Sequence, residues 1–283
     1  MSRIDLDHLR RWVGKSRSDE DLIAARHARL MAATVDYFAP ERIRDGDSLP
    51  ALWHWLYFLE GSPAHELGRD GHPARGGFLP PVPLANRMWA GGRVRFVAPV
   101  PIGAMVRRKS TIVRVDHKEG RSGDLVFVTV LHELESSGGE ALVREEHDIV
   151  YKEPSPPIAA GSAAHEVAPR GQFTKTFVPT STMLFRYSAL TFNGHRIHYD
   201  SDYCRAVEGY PNLVIHGPLL ATLLAGFAEE AGGKRLRGID YRALAPAFLG
   251  ATVTLHGDVR DHRVDLRALD DGRACMQAQA TFE

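Results

Sequence analysis

An internal repeat constrains this chain more than any other feature. Ala98-Pro99-x-x-Ile102-Gly103-Ala104-x-Val106 recurs as Ala245-Pro246-x-x-Leu249-Gly250-Ala251-x-Val253 at a constant offset of 147 residues, with Arg95 and Arg242 also in register. A period near half of a 283-residue chain marks a duplicated unit, so the fold must accommodate two similar halves. The length agrees, since it exceeds the usual size of one small core.

Each copy leads into alternating sequence. After the second come Val253 and Leu255, then Val264, Leu266 and Ala268, then Ala274, Met276, Ala278, Ala280 and Phe282, apolar at every second position as in half-buried strands. After the first come 106–115, 125–131 and 141–151, separated by turn-forming stretches at 118–123 and 136–139. Both halves should therefore end in antiparallel meanders. Upstream of the second meander, 217–231 is apolar around most of its circumference, has Pro218 in its first turn and stops at Gly232-Gly233, which predicts a buried helix.

In the equivalent place of the first half, 68–83 is rich in Gly and Pro, so a shortened central helix that leaves room for substrate is expected there. The stretch 19–38 has helical spacing (Leu22, Ala25, Leu30, Ala33, Val35) and Ser18 as a cap, which predicts one helix. Residues 154–171, with Pro154, Pro156 and Pro157, read as a linker between an N-terminal half (1–153) and a C-terminal half (172–283). The expected class is α+β, with two antiparallel sheets each wrapping a central helix.

Composition narrows the partners. The 35 basic and 35 acidic residues cancel, which removes the positive field of nucleic-acid binders. No apolar run approaches the roughly 20 residues needed to cross a bilayer, and the first 19 residues lack the apolar core of a secretory signal, so a cytoplasmic protein is expected. Cys204 and Cys275 are too few for a disulfide framework and read as reduced structural thiols. No Gly-rich phosphate loop is present. His195-x-x-His198 has no further ligand at a metal-binding spacing, so no metal and no tightly held cofactor are expected.

The densest run of polar groups is Phe185-Arg186-Tyr187-Ser188-Ala189-Leu190-Thr191-Phe192-Asn193-Gly194-His195-Arg196-Ile197-His198-Tyr199-Asp200. It resembles the signature of the MaoC-like, R-specific enoyl-CoA hydratases, Gly-Asp-x-Asn-Pro-hydrophobic-His. On this alignment Asn193 stands where the family has its catalytic Asp, His198 is the catalytic His, and Phe192, His195 and Arg196 replace Gly, Asn and Pro. Together with Arg75 to Pro83 and Met88-Trp89-Ala90-Gly91-Gly92, the run resembles more closely the hydroxyacyl-thioester dehydratases and the 3-methylfumaryl-CoA (mesaconyl-CoA) or itaconyl-CoA hydratases, over nearly the whole chain. The resemblance implies a double hot-dog fold, reversible hydration of a 2-enoyl thioester in the R series, an acyl-CoA substrate and a homodimer.

Enoyl hydration needs a base near neutrality and hydrogen bonds to the developing enolate oxygen. His198 suits the base. Asn193, which cannot be one, would orient water or polarise a carbonyl. Gly217, at the predicted helix start, would offer its N–H to the oxyanion. Tyr187, Arg186, His195, Arg196 and His216 are candidates for substrate binding, since a guanidinium could hold the second carboxylate of a mesaconyl or itaconyl group. Arg75, Arg87 and Arg93 are further candidates from the first half. Two other readings stay open: a thioesterase using Asp200 or Asp202 to direct water, and a non-catalytic acyl-thioester-binding subunit, in which Asn193 marks lost activity.

Overall fold

The computed structural model describes residues 4–36, 43–120, 123–153 and 171–283. Ten strands form one antiparallel sheet in the order β1-β3-β4-β5-β2-β7-β10-β9-β8-β6. In the first half these are β1 (Ser16–Leu22), β2 (Asn86–Phe96), β3 (Met105–Gly120), β4 (Gly123–Ser136) and β5 (Ala141–Lys152). The second half supplies β6 (Phe173–Phe177), β7 (Leu236–Ala243), β8 (Val253–Arg260), β9 (Arg263–Asp270) and β10 (Arg273–Phe282). The order reads the same from either edge once β1 is matched with β6 and β2 with β7. The duplication thus appears as two equivalent five-stranded units joined where Gly91–Arg95 pairs with Gly238–Arg242. The repeated motif is the turn into β3 and β8, and its glycines have left-handed backbones, with φ of 88° at Gly103 and 98° at Gly250, where a side chain would be strained.

Among the described residues five α-helices accompany the sheet: α1 (Leu6–Arg10), α2 (Ala25–Val35), α3 (Ser181–Leu190), α4 (Ser201–Tyr203) and α5 (Gly217–Gly232). The concave face of the second half, β7 to β10, closes on α5, burying Leu219, Leu220, Leu223, Leu224 and Phe227. Each such side chain contributes about 1.5–3 kcal/mol of burial energy. α5 ends on Gly233 in the left-handed region, as the Gly-Gly signal predicts.

The first half has no equivalent of α5 among the described residues. Between Ile43 and Ala85 the helical segments are two 3-10 turns, at Trp53–Leu56 and Ala64–Glu66. The Gly/Pro-rich stretch 68–83 accordingly carries no helix, as its composition predicts. The single helix predicted over 19–38 does not form. Residues 16–22 form the edge strand β1, and the helix starts only at Ala25, with Ala24 rather than Ser18 as its N-cap. The reason is electrostatic pairing across β3: Arg108 donates to Asp19 (3.2 Å) and Arg107 to Glu20 (3.2 Å). These contacts satisfy a charged strand that local periodicity misreads. Apart from Gly171, the linker at 154–171 lies outside the described residues.

Candidate active site

Four histidines from both halves converge at the seam. His198 ends a 3-10 turn (Arg196–His198) and is buried. Its Nδ1 lies 2.7 Å from the Val214 carbonyl, which can only accept, so Nδ1 carries the proton and Nε2 keeps its lone pair. Burial lowers its pKa to about 4 against a smaller opposing effect of that hydrogen bond, so the ring is neutral near pH 7. The His216 ring stacks on it at 3.6 Å. His216 is the fully buried N-cap residue of α5. Its Nε2 is 2.8 Å from Ser188 Oγ, and its Nδ1 has no partner among the described residues. Tyr187, buried on α3, meets the His216 ring edge-on at 4.9 Å.

Gly217 follows, its N–H among the donors that a helix start leaves without an intrahelical acceptor. The Trp89 ring of β2 lies against it, and a Cβ here would sit 2.6 Å from Trp89 Cε3. The sequence candidates His198, His216, Gly217, Tyr187 and His195 are thus brought together. Asn193 stands at the rim with its Oδ1 accepting the His195 backbone N–H (3.0 Å), an arrangement that shapes the turn.

Two arginines are directed elsewhere. Arg186 points outward from α3 and donates to the Ala33 carbonyl of α2 (3.2 Å). Arg196 binds Asp200 (2.8 Å) and the Arg69 carbonyl (3.2 Å), and lies over the Tyr203 ring. Arg196 thus fastens the Gly/Pro-rich stretch of the first half to the histidine segment of the second, helped by its own N–H, which donates to the Asp70 carbonyl (2.9 Å).

That stretch delivers two residues that sequence reasoning missed. Asp70 Oδ2 lies 3.2 Å from His72 Nδ1, and the His72 ring is 4.3 Å from that of His195. Burial would raise the Asp70 pKa, but the hydrogen bond and charge of His72 outweigh it, so the carboxylate stays ionised. Burial lowers the pKa of His72, and more strongly that of His195, which the neighbouring His72 and His198 push further in the same direction. The ligand atoms of Asp70, His72 and His195 lie within 4.8 Å of one another, so this trio is where a metal ion would bind if one does. The clue lay in Asp70-Gly71-His72, just ahead of the Arg75 stretch.

A second buried cluster lies behind Trp89. Glu145 of β5, 2% exposed, accepts from Trp55 Nε1 (2.9 Å) and is 2.8 Å from His54 Nε2, with the Tyr241 hydroxyl at 3.5 Å. Burial raises its pKa, but the His54 hydrogen bond and the charges of His54, His132 and His147 prevail and hold it at about 2. Tyr241 in turn stacks on Trp89 at 4.7 Å. The missed signal was a carboxylate at an inward position between Val143 and His147. A shallow cavity lined by Leu49, His54, Phe96, Glu229 and Arg235 touches none of the four converging histidines.

Comparison with known proteins identifies the family and the fold. The hydroxyacyl-thioester dehydratase type 2 family matches residues 52–249. A mesaconyl-C(4)-CoA hydratase of Chloroflexus aurantiacus is 43% identical over 270 residues, covering 94% of this chain and 95% of that protein. A mitochondrial hydroxyacyl-thioester dehydratase type 2 of Schizosaccharomyces pombe is 27% identical over 71% of this chain and 75% of its own. A MaoC-like dehydratase structure superposes with a TM-score of 0.73 at 17% identity, covering 97% of this chain and 99% of that one. A double hot-dog protein of Mycobacterium tuberculosis superposes at 0.56, with 12% identity over 95% of this chain and 96% of its own. The fold is therefore a double hot-dog, and the chain belongs to the hydroxyacyl-thioester dehydratase type 2 family.

Proposed function

We propose that the protein is a hydro-lyase that adds water reversibly to a 2-enoyl-CoA, with mesaconyl-C4-CoA or a similar branched dicarboxylic thioester as substrate. The observation that carries this reading is the tautomer of His198: its Nδ1–H is held by Val214, so the free lone pair of Nε2 is fixed beside His216 at the start of α5. His198 Nε2 takes a proton from water as the hydroxyl bonds to the β carbon. The electron pair of the double bond moves to the thioester oxygen, where the Gly217 N–H and the α5 dipole stabilise the enolate. His198 then returns the proton to the α carbon. The ring begins and ends neutral, in keeping with its lowered pKa, and the same cycle reversed gives dehydration. Asn193 orients the water, and Tyr187 and Ser188 hold His216 in place. Asp70 orients His72 by charge-assisted hydrogen bonding, and the cycle needs no metal or other cofactor.

No helix among the described residues is long and apolar enough to cross a membrane. A cytoplasmic setting and a homodimer are the forms that the sequence and the family resemblance favour.

The test is a screen of the purified, chelator-treated protein against crotonyl-CoA, mesaconyl-C4-CoA and itaconyl-CoA, following enoyl absorbance and product mass. Gain of one water, unaffected by the chelator, is expected. Release of free CoA with the enoyl group intact would indicate a thioesterase, and binding without turnover a non-catalytic subunit.

A further inference from the structure

We infer that Arg87, with the Tyr151 hydroxyl, is the receptor that selects acyl groups bearing a second carboxylate. The inference rests on the hydratase reading above and assigns its specificity. The other arginines proposed from sequence have partners. Arg75 donates to the carbonyls of Val82, Leu84 and Ala85. Arg93 holds Glu146 (2.9 Å) and Asp148 (2.8 Å). Arg186 and Arg196 are engaged at Ala33 and at Asp200.

Arg87 is half-buried and makes no ion pair with any described residue. It lies on the face of β2 that also carries Trp89, whose ring rests on Gly217. A half-buried guanidinium on that face with no ion-paired carboxylate can receive an anion.

Tyr151 is an independent sign of the same site. It stands directly across from Arg87 in the β2–β5 register, so the two side chains share a face. The residue is fully buried; the Arg87 guanidinium hydrogen-bonds toward its hydroxyl oxygen, and the O–H itself donates to no described residue. Burial raises the pKa of the phenol, which keeps it a neutral O–H donor. A buried donor left unsatisfied is costly, and a bound carboxylate would accept from it.

Spacing fits as well. Arg87 and Trp89 lie two residues apart on one face of β2, roughly 6.6 Å along the strand, and Trp89 rests on Gly217. In a four-carbon dicarboxylic acyl chain, three C–C bonds of roughly 1.5 Å place the free carboxylate about 4 Å from the thioester carbon. A thioester oxygen on the Gly217 N–H would thus direct the free carboxylate along β2 toward Arg87.

The experiment measures binding of unreactive succinyl-CoA and butyryl-CoA by calorimetry, and kcat/KM for mesaconyl-C4-CoA against crotonyl-CoA, in wild type and in Arg87→Gln, Arg87→Lys and Tyr151→Phe. Wild type should bind succinyl-CoA at least about tenfold tighter than butyryl-CoA, and the mesaconyl-to-crotonyl ratio should fall on the order of 10- to 100-fold in Arg87→Gln. Arg87→Lys should lose part of that ratio and Tyr151→Phe less. Equal affinity of wild type for the two saturated thioesters overturns the inference even if a variant fails to fold, and so does an unchanged ratio in a folded Arg87→Gln. Wild type that prefers succinyl-CoA yet hydrates nothing would support the receptor and refute the hydratase reading.

Discussion

The second half of the sheet closes on α5, whereas the first half has no such helix among the described residues and carries 3-10 turns and a Gly/Pro-rich stretch in the corresponding part of the sequence. Their buried polar groups differ too. The second half keeps His198 and His216 neutral, while the first buries an ionised Glu145 satisfied by His54 and Trp55. Duplication has preserved the strand order while the concave faces diverged. One half supplies a helix start and two buried, neutral histidines. The other, freed from carrying a central helix, reaches across the seam with Asp70 and His72.

The contrast is broken most severely at Glu145. Glu145→Ala would leave the His54 and Trp55 donors buried without an acceptor and should cost about 3–5 kcal/mol, read as a lower urea midpoint. A change below about 1 kcal/mol would show that the cluster is not a structural anchor. Gly217→Ala places a methyl group against the Trp89 ring and should cost about 1–3 kcal/mol. It should also slow hydration at least tenfold, because the ring must shift off the helix start; unaltered kcat with unaltered stability would remove Gly217 from the site.

Acid titration separates the two kinds of buried group. His198 has a folded pKa of about 4, below its ordinary 6.5, so between these values the unfolded chain binds more protons and stability is lost as pH falls. The Glu145 contribution persists until pH falls below 4.5 toward about 2. His198→Gln should therefore flatten the decline between about pH 6.5 and 4 by up to roughly 1.4 kcal/mol per pH unit, leaving the lower window unchanged. An identical slope in the variant would mean that the ring is charged when folded. Arg186→Ala, on the outer face, should change stability by less than about 0.5 kcal/mol and leave turnover intact. A large loss of turnover would return Arg186 to the site.

The sequence made some of this legible. The strands β3 to β5 and β8 to β10, together with α5, follow from alternation, turn residues and a Gly-Gly stop. β1 was hidden because its charged residues pair with Arg107 and Arg108, nearly 90 positions away, a partnership local periodicity cannot show. The paired glycines Gly91-Gly92 found their reason only in three dimensions, where the backbone and ring of Tyr241 press on them. His198, His216 and Gly217 were readable from motif and helix start. Asp70, His72 and Glu145 were not, since each gains meaning from a partner brought in by the fold.

The most direct test of His198 as the base at the seam is single-turnover hydration of the preferred enoyl-CoA by His198→Gln, with near-UV circular dichroism as the check on folding. A base that carries the proton through the whole cycle predicts a rate loss on the order of 10²- to 10⁴-fold in a protein of native spectrum. A rate within a few-fold of wild type, in a folded variant, would place the proton transfer on another residue.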